Sequence, residues 1–279
     1  MSSADILGYS GTRVVVTGCG SGMGAATASM LGELGAEVHA VDIQTPTVPH
    51  AAFYETDLSD PASVDATIGA LGGIGPIDRL FNCAGVPHTA GALMCMLVNW
   101  VGLRQLNDGV LPSIVDGGAI VSISSDAGVG HLDNLATVNE LLAIVDPAEA
   151  RAWCEANPMK IREGYSFSKE CISVWTMQRA LELAEARRIR INCIAPSPTA
   201  TAFMVPTIAE IGEDFIMRYP HALVGRMATA EEQAGPLVLL NSALASIITG
   251  VVLYTDQGFA GGLLSGALDL AELYAPAPS

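Results

Sequence analysis

The sequence predicts an α/β fold, a doubly wound parallel sheet with helices on both faces in three α/β/α layers. Three observations predict it. Short β-rich apolar runs alternate with helical stretches along nearly the whole chain. Several of those runs are apolar almost throughout, as strands covered on both faces read. Half of the 279 residues are hydrophobic and only 15% are charged, enough apolar surface for a large core. Parallel strands joined through helices take right-handed crossovers. With no repeat or linker dividing it, the chain reads as a single domain over 1–279.

Strands are expected over 13–17, 37–42, 80–84, 119–125, 190–195 and 251–255, and helices over 24–34, 62–71, 91–115, 165–186 and 230–242. One interval breaks the rhythm. Between Ser125 and Tyr165 lie roughly forty residues with helix-like stretches over 134–145 and 147–156, too few for a core of their own. Residues 127–163 are therefore read as a helical insertion. The final Ala-Pro-Ala-Pro-Ser reads as a frayed tail.

The formal charge of -16 repels nucleic acid and anionic lipid, and no Lys/Arg cluster offsets it. The first residues lack the basic start and apolar stretch of a secretory signal, and no apolar run approaches the roughly 20 residues that span a bilayer. A cytoplasmic protein is expected, with neither nucleic acid nor membrane as partner. Cys19, Cys83, Cys95, Cys154, Cys171 and Cys193 form no C-x-x-C pair and have no histidine at ligand spacing. They read as small buried hydrophobes in a reducing compartment, and no metal site is expected.

The first strand runs into Thr17-Gly18-Cys19-Gly20-Ser21-Gly22-Met23-Gly24 and then a helix. Such a turn lets the backbone approach a pyrophosphate, and free N–H groups at the helix start favour its charge. The spacing G-x-x-x-G-x-G differs from the commoner G-x-G-x-x-G, and a tight strand-to-helix turn without ligand reads the same way. Asp42 ends the second strand, where an acid can accept from both hydroxyls of an adenine ribose and repel a 2′-phosphate. Between Arg13 and Arg79 there is no Lys or Arg to neutralise such a phosphate. NAD is therefore expected over NADP.

Tyr165-Ser166-Phe167-Ser168-Lys169 puts a phenol and an ammonium on one helix face. A phenol with an ordinary pKa near ~10 is a poor base at neutral pH unless a cation favours the phenolate. Lys169 can be that cation, in a chain with two lysines against eleven arginines. By itself the spacing is also that of a chance surface pair. Ser124 and Ser125 end a strand at the carboxyl edge of the sheet, where open α/β folds bind ligands, although a serine there also serves as a turn cap.

Taken in order, Thr17-Gly18 with Gly22 and Gly24, Asn82-Cys83-Ala84-Gly85, Asn99, Ser125, and Tyr165 with Lys169 resemble the short-chain dehydrogenase/reductase family over nearly the whole chain. The resemblance implies a Rossmann-type fold, with the insertion after the fifth strand, and a catalytic tetrad of Asn99, Ser125, Tyr165 and Lys169. It implies cofactor contacts from Gly18, Ser21, Gly22, Met23, Gly24 and Asp42, and from Asp57 and Leu58 at the adenine. Along the sheet edge it implies Asn82, Ala84 and Gly85, where a purely structural role for Asn82 is an equal reading. Tyr165, Lys169, Pro196, Thr199 and Thr201 belong to the nicotinamide side, the threonines being alternatively loop caps. Pro196-Ser197-Pro198 replaces the family's usual Pro-Gly there. The long interval before Tyr165 resembles the subgroup of 3α-hydroxysteroid dehydrogenase/carbonyl reductases and coniferyl-alcohol-type dehydrogenases.

The resemblance implies an NAD-dependent oxidoreductase interconverting an alcohol and its carbonyl, and a homodimer or homotetramer packed through 91–115 and 165–186. A lid is expected over 197–220. Its Phe203, Met204, Val205, Ile208, Ile211, Phe215, Ile216 and Met217 point to a bulky apolar alcohol, or to an ordinary amphipathic helix on the core. From another class comes a catalytically silent NAD-binding sensor or assembly subunit. His131 reads as a solvated loop residue, or as one approaching substrate.

Overall fold

In the computed structural model, residues 5–219, 221 and 223–273 are described. The expected tail at 275–279 and Pro220, the last lid residue, lie outside the described residues. The order is β1 (Arg13–Thr17), α1 (Gly22–Glu33), β2 (Glu37–Asp42), β3 (Ala52–Glu55), α2 (Pro61–Gly72) and β4 (Ile77–Asn82). A broken helical run follows: α3 (Ala92–Met96), a π-helical turn Leu97–Gly102, and α4 (Leu103–Val110). Then come β5 (Ile114–Ile123), a 3-10 segment Asp126–Leu132, α5 (Leu135–Leu142), α6 (Pro147–Ala156), α7 (Pro158–Ile161) and α8 (Tyr165–Arg187). The chain continues through β6 (Arg190–Pro196), α9 (Met204–Ile211), α10 (Glu213–Ile216), α11 (Ala230–Asn241), β7 (Val252–Thr255), α12 (Phe259–Ser265) and α13 (Leu270–Leu273).

The strands form one parallel sheet in the order β3-β2-β1-β4-β5-β6-β7, so the doubly wound expectation holds. Its period-two alternation divides the core. Val15, Leu80, Ile120 and Ile191 pack with α2, α4 and α8 on one face, and Val14, Val16, Phe81 and Val121 pack with α1 and α11 on the other. Each fully buried aliphatic side chain contributes about 1.5–3 kcal/mol, which is why these short strands hold without polar partners.

The sequence missed β3. Ala52–Glu55 is a four-residue edge strand, half exposed, and only its pairing with His39 to Asp42 makes it a strand. β4 ends at Asn82 rather than Ala84 because the Thr17 hydroxyl accepts the N–H groups of Cys83 and Ala84, each at 3.1 Å, in place of a ladder. β5 starts earlier than expected and stops at Ile123, leaving Ser124 and Ser125 beyond the edge. The helix expected over 91–115 is interrupted by the π turn and has ended before β5 begins at Ile114.

The insertion is the α5-to-α7 segment, fastened to the body rather than independent. Asp146 caps α6 by accepting from Ala148 and Glu149, and Pro147 occupies its first turn. Arg104 on α4 donates to the carbonyls of Leu142 and Ile144, both at 2.8 Å, and Arg151 donates to Ser59 at 2.6 Å. α5 lies on α8, joined by Gln178 to Asn139, while Trp153 stacks on Phe167 at 6.2 Å. The insertion therefore covers part of the α4 and α8 surface that the sequence assigned to subunit packing. His131 is neither solvated nor at the cavity: it is buried, with Nδ1 bonded to Gly128 O at 2.9 Å.

Candidate active site

The sheet's carboxyl edge opens into a cavity of about 470 Å³ that runs from the glycine turn past the ends of β4 and β5 to α9 and α10. At one end the backbone itself forms the wall. A Cβ on Gly18 would lie 2.5 Å from Ala84 N, and one on Gly24 would lie 2.0 Å from Gly18 O. Gly18 also has φ +71° and Gly22 φ +53°, conformations that side chains resist. Such close approach leaves α1 with a bare N-terminus facing the cavity, the geometry that accepts a dinucleotide phosphate. Ser21, Gly22, Met23 and Gly24 all line it.

Asp42 closes this end. Its carboxylate accepts from Gly20 N at 2.8 Å and Gln44 N at 2.9 Å, which fixes it against the turn. Asp57 and Leu58 form the next stretch of wall, and Asp57 is held by Ser59 N at 2.8 Å. Ala84 and Gly85 continue it, but Asn82 does not reach the cavity. Its amide is buried and donates to Asn107 Oδ1 and Ser122 Oγ, each at 3.1 Å, which supports the β4–β5 edge from within. The structural reading of Asn82 is the one its surroundings favour.

At the other end Ser125, Tyr165 and Lys169 converge on the same cavity. Gly164 makes this possible. With φ +78° and space for no Cβ, which would lie 2.1 Å from Ala92 O, it turns the chain so that α8 begins with Tyr165 at the wall. One turn on, Lys169 is buried and donates to Ile123 O at 2.8 Å, its Nζ 5.5 Å from the Tyr165 ring centre. Burial pulls the ammonium down to about 8. Burial also pushes the Tyr165 phenol above its usual range, opposed by a hydrogen bond with Ser125 and reinforced by Asp126 and Cys95. Desolvation of the phenolate is the largest cause of that rise.

Asn99 is not in the wall. In the π turn its Oδ1 accepts from Val86 N at 2.8 Å, and its Nδ2 donates to Val86 O at 3.1 Å and Ser168 Oγ at 3.3 Å. It fixes the loop carrying Gly85. Ser124 does line the cavity, but its buried hydroxyl is turned to α8, bonded to Lys169 O at 2.9 Å and Ser173 Oγ at 2.8 Å. Pro196, Thr199 and Thr201 line the cavity, and Thr199 Oγ1 caps its own loop through Ser197 O at 2.9 Å. Phe203, Met204, Ile211, Phe215 and Ile216 make its far side apolar, with Phe203 packed 6.1 Å from the Tyr165 ring. Val205 and Met217 are exposed instead.

Among the wall residues that the sequence reading left out, two are buried polar side chains with an unpartnered oxygen. Ser197 is buried with its hydroxyl unpartnered, and Asp126 is buried with Oδ1 accepting from Ser125 Oγ at 3.0 Å and Oδ2 unpartnered. Burial, with a smaller push from Asp256, raises the Asp126 carboxyl to about 7. Its place beside Ser125 was the only available signal. Among the described residues no cluster of His, Cys, Asp or Glu could hold a metal ion.

The short chain dehydrogenase profile matches residues 12–137, and an enoyl-(acyl carrier protein) reductase profile matches 154–260. This chain belongs to the short-chain dehydrogenase family, oxidoreductases acting on CH–OH groups. It is 35% identical to a coniferyl-alcohol dehydrogenase of Pseudomonas sp. (strain HR199 / DSM 7063) over 89% of this chain and 96% of that protein. To a 3-alpha-hydroxysteroid dehydrogenase/carbonyl reductase of Comamonas testosteroni it is 30% identical, over 88% and 95%. The crystal structure of the 3-alpha-hydroxysteroid dehydrogenase from Pseudomonas sp. B-0831 complexed with NADH superposes with a TM-score of 0.77 at 28% identity, covering 92% of this chain and all of that one.

Proposed function

We propose that this chain is an NAD-dependent dehydrogenase/reductase that interconverts a bulky apolar alcohol, aromatic or alicyclic, with its carbonyl compound. The observation that carries the reading is that one cavity joins the glycine turn and Asp42 to Ser125, Tyr165 and Lys169. NAD, when bound, supplies hydride exchange with the alcohol carbon. Gly18, Ser21, Gly22, Met23 and Gly24 would hold its phosphates, Asp42 its adenine ribose, Asp57 and Leu58 its adenine, and Ala84, Gly85, Pro196, Thr199 and Thr201 the remaining wall. The NADH complex of the similar hydroxysteroid dehydrogenase supports that choice of cofactor.

The reaction needs a proton acceptor for the alcohol and a donor to the oxygen on which charge develops. Tyr165 Oη takes or returns the proton, and Ser125 Oγ holds the substrate oxygen. Lys169 Nζ stands behind the phenol and steadies its anion once a proton has left, and Asn99 positions the loop carrying Gly85. The apolar wall from Phe203 to Ile216 is the lid, and it supports the substrate class, as do the coniferyl-alcohol and hydroxysteroid relatives. A cytoplasmic setting belongs to the same proposal, supported by six free cysteines and, among the described residues, no helix long and apolar enough to cross a membrane.

The test is Tyr165→Phe with coniferyl alcohol, a 3α-hydroxysteroid and a small polyol as substrates. Turnover is expected to fall by about 10³-fold or more while NADH binding, read by fluorescence, is retained. Undiminished activity removes Tyr165 from the reaction, fastest turnover of the polyol sinks the substrate class, and tight NADH binding by a wild-type protein that oxidises none of them favours a silent sensor.

A further inference from the structure

Ser125 has one hydroxyl hydrogen and two lone pairs, and its surroundings already claim the hydrogen and one lone pair. As the cap of the 3-10 segment its oxygen accepts from Ala127 N at 3.2 Å, and it lies 3.0 Å from Asp126 Oδ1. An ionised carboxylate only accepts. The Ser125 hydrogen then goes to Asp126, a lone pair takes the Ala127 N–H, and no hydrogen is left to donate to a substrate oxygen. A proton on Asp126 Oδ1 inverts the arrangement: the carboxyl donates to Ser125 Oγ, and the serine hydrogen is released toward the phenol and the cavity.

We propose that Asp126 is a positioning residue that sets the direction of the Ser125 hydroxyl, freeing it to donate to substrate when protonated and holding it back when ionised. This rests on the Ser125 and Tyr165 roles proposed above. Asp126 is 4% exposed and forms part of the cavity wall, and its Oδ2 has no partner to hold a charge. The groups packed around its segment do not neutralise it. On α8 the neighbours are Tyr165, Lys169, whose ammonium is engaged by Ile123 O, Cys171, whose thiol burial keeps neutral, and Glu170, which binds Asn134 and Arg162. Ahead of α12 stands Asp256, whose carboxylate caps Gly258 and Ala260 and repels a second charge. β6 offers the buried Cys193 thiol and Arg190, which is bonded to Leu240 O and Ser242 O, and Glu140 of α5 pairs with Lys160. Burial accordingly moves the Asp126 titration to about 7, within working pH.

The experiment compares wild type with Asp126→Asn and Asp126→Ser at saturating NAD, using coniferyl alcohol, a 3α-hydroxysteroid and cis-4-hydroxycyclohexanecarboxylate as probes. An asparagine amide can donate to Ser125 Oγ at every pH, and a serine leaves no charge. The variant-to-wild-type ratio of kcat/KM is expected to rise at least about tenfold between about pH 6 and about pH 9, because only the wild type loses its donor. Taking the ratio cancels the pH dependence of Tyr165 common to both enzymes. A merely structural role predicts a lowered, flat ratio, and that result overturns the proposal, as does inactivity at every pH with NADH binding intact. Carbon-13 titration of the aspartate carboxyls gives a second readout that needs no folded Asp126 variant. A wild-type Asp126 step near neutrality that moves upward in Ser125→Ala supports the coupling, and an unmoved step refutes it. Tyr165→Phe and Ser125→Ala enzymes as active as wild type, or no turnover of any probe, fail the underlying reading; a flat ratio beside inactive Tyr165→Phe fails this inference alone.

Discussion

Asp42 shows how one side chain fixes local shape and, in the function proposed above, selects the cofactor. By accepting from Gly20 and Gln44 it ties the glycine turn to the end of β2, and its charge faces the cavity end where a ribose 2′-substituent would lie. Replacing it with alanine is expected to shift the NADP-to-NAD ratio of kcat/KM upward by about tenfold or more, equivalent to ~1.4 kcal/mol. Steady-state kinetics with both cofactors measures this, and an unchanged ratio denies Asp42 the selective role. Asp126 links charge to stability instead. Its carboxyl binds its proton more tightly folded, at about 7, than unfolded, at 3.8, so the folded state holds the extra proton between those values. Its contribution to stability is complete below the unfolded value and lost as pH rises through that window. Asp126→Asn should therefore gain stability over wild type on going from about pH 4 to about pH 8, by at most about 4 kcal/mol. Urea unfolding at the two pH values checks it, and a pH-independent difference contradicts the buried, protonated acid.

Among elements, the insertion is where sequence and structure inform each other least evenly. Its helices could be expected from Asp146-Pro147 and the apolar spacing, yet nothing local said where they would dock. Arg104 decides that, since one guanidinium satisfies the carbonyls of Leu142, the last residue of α5, and of Ile144 just beyond it while lying 5.8 Å over the Trp100 ring. Arg104→Ala leaves those carbonyls without their donor and is expected to cost about 1–3 kcal/mol. Amide exchange over 135–156 should speed up before the sheet is affected, and uniform protection there would mean that apolar packing alone holds the insertion. The same element changes the meaning of α8. The sequence read α8 as a subunit surface, but Gln178 and its neighbours face α5 of the same chain. β3 and the π turn were missed for a related reason. Four half-exposed residues have no periodic signature, and a π turn exists because Asn99 finds Val86 and Ser168 across the fold.

At the scale of the whole molecule, the apolar surplus of the sequence is only partly used internally. Leu244, Ile247 and Ile248 stand exposed on the approach to β7, an edge strand of the sheet, with Ile247 95% exposed. An apolar cluster beside an open sheet edge is a surface that association can cover. We expect a homo-oligomer in light scattering at micromolar concentration, weakened by Ile247→Glu. A wild-type monomer under those conditions contradicts the expectation.

The sequence by itself determined six of the seven strands, the glycine turn, the acid ending β2 and the Tyr165–Lys169 pair, because each depends on periodicity or spacing along a few consecutive residues. Only the tertiary structure decided that Asn82 and Asn99 turn inward, that Asp126 lies buried against Ser125, and that the insertion covers α8. Those outcomes depend on desolvation and on hydrogen-bond partners tens of residues away, which no local pattern records.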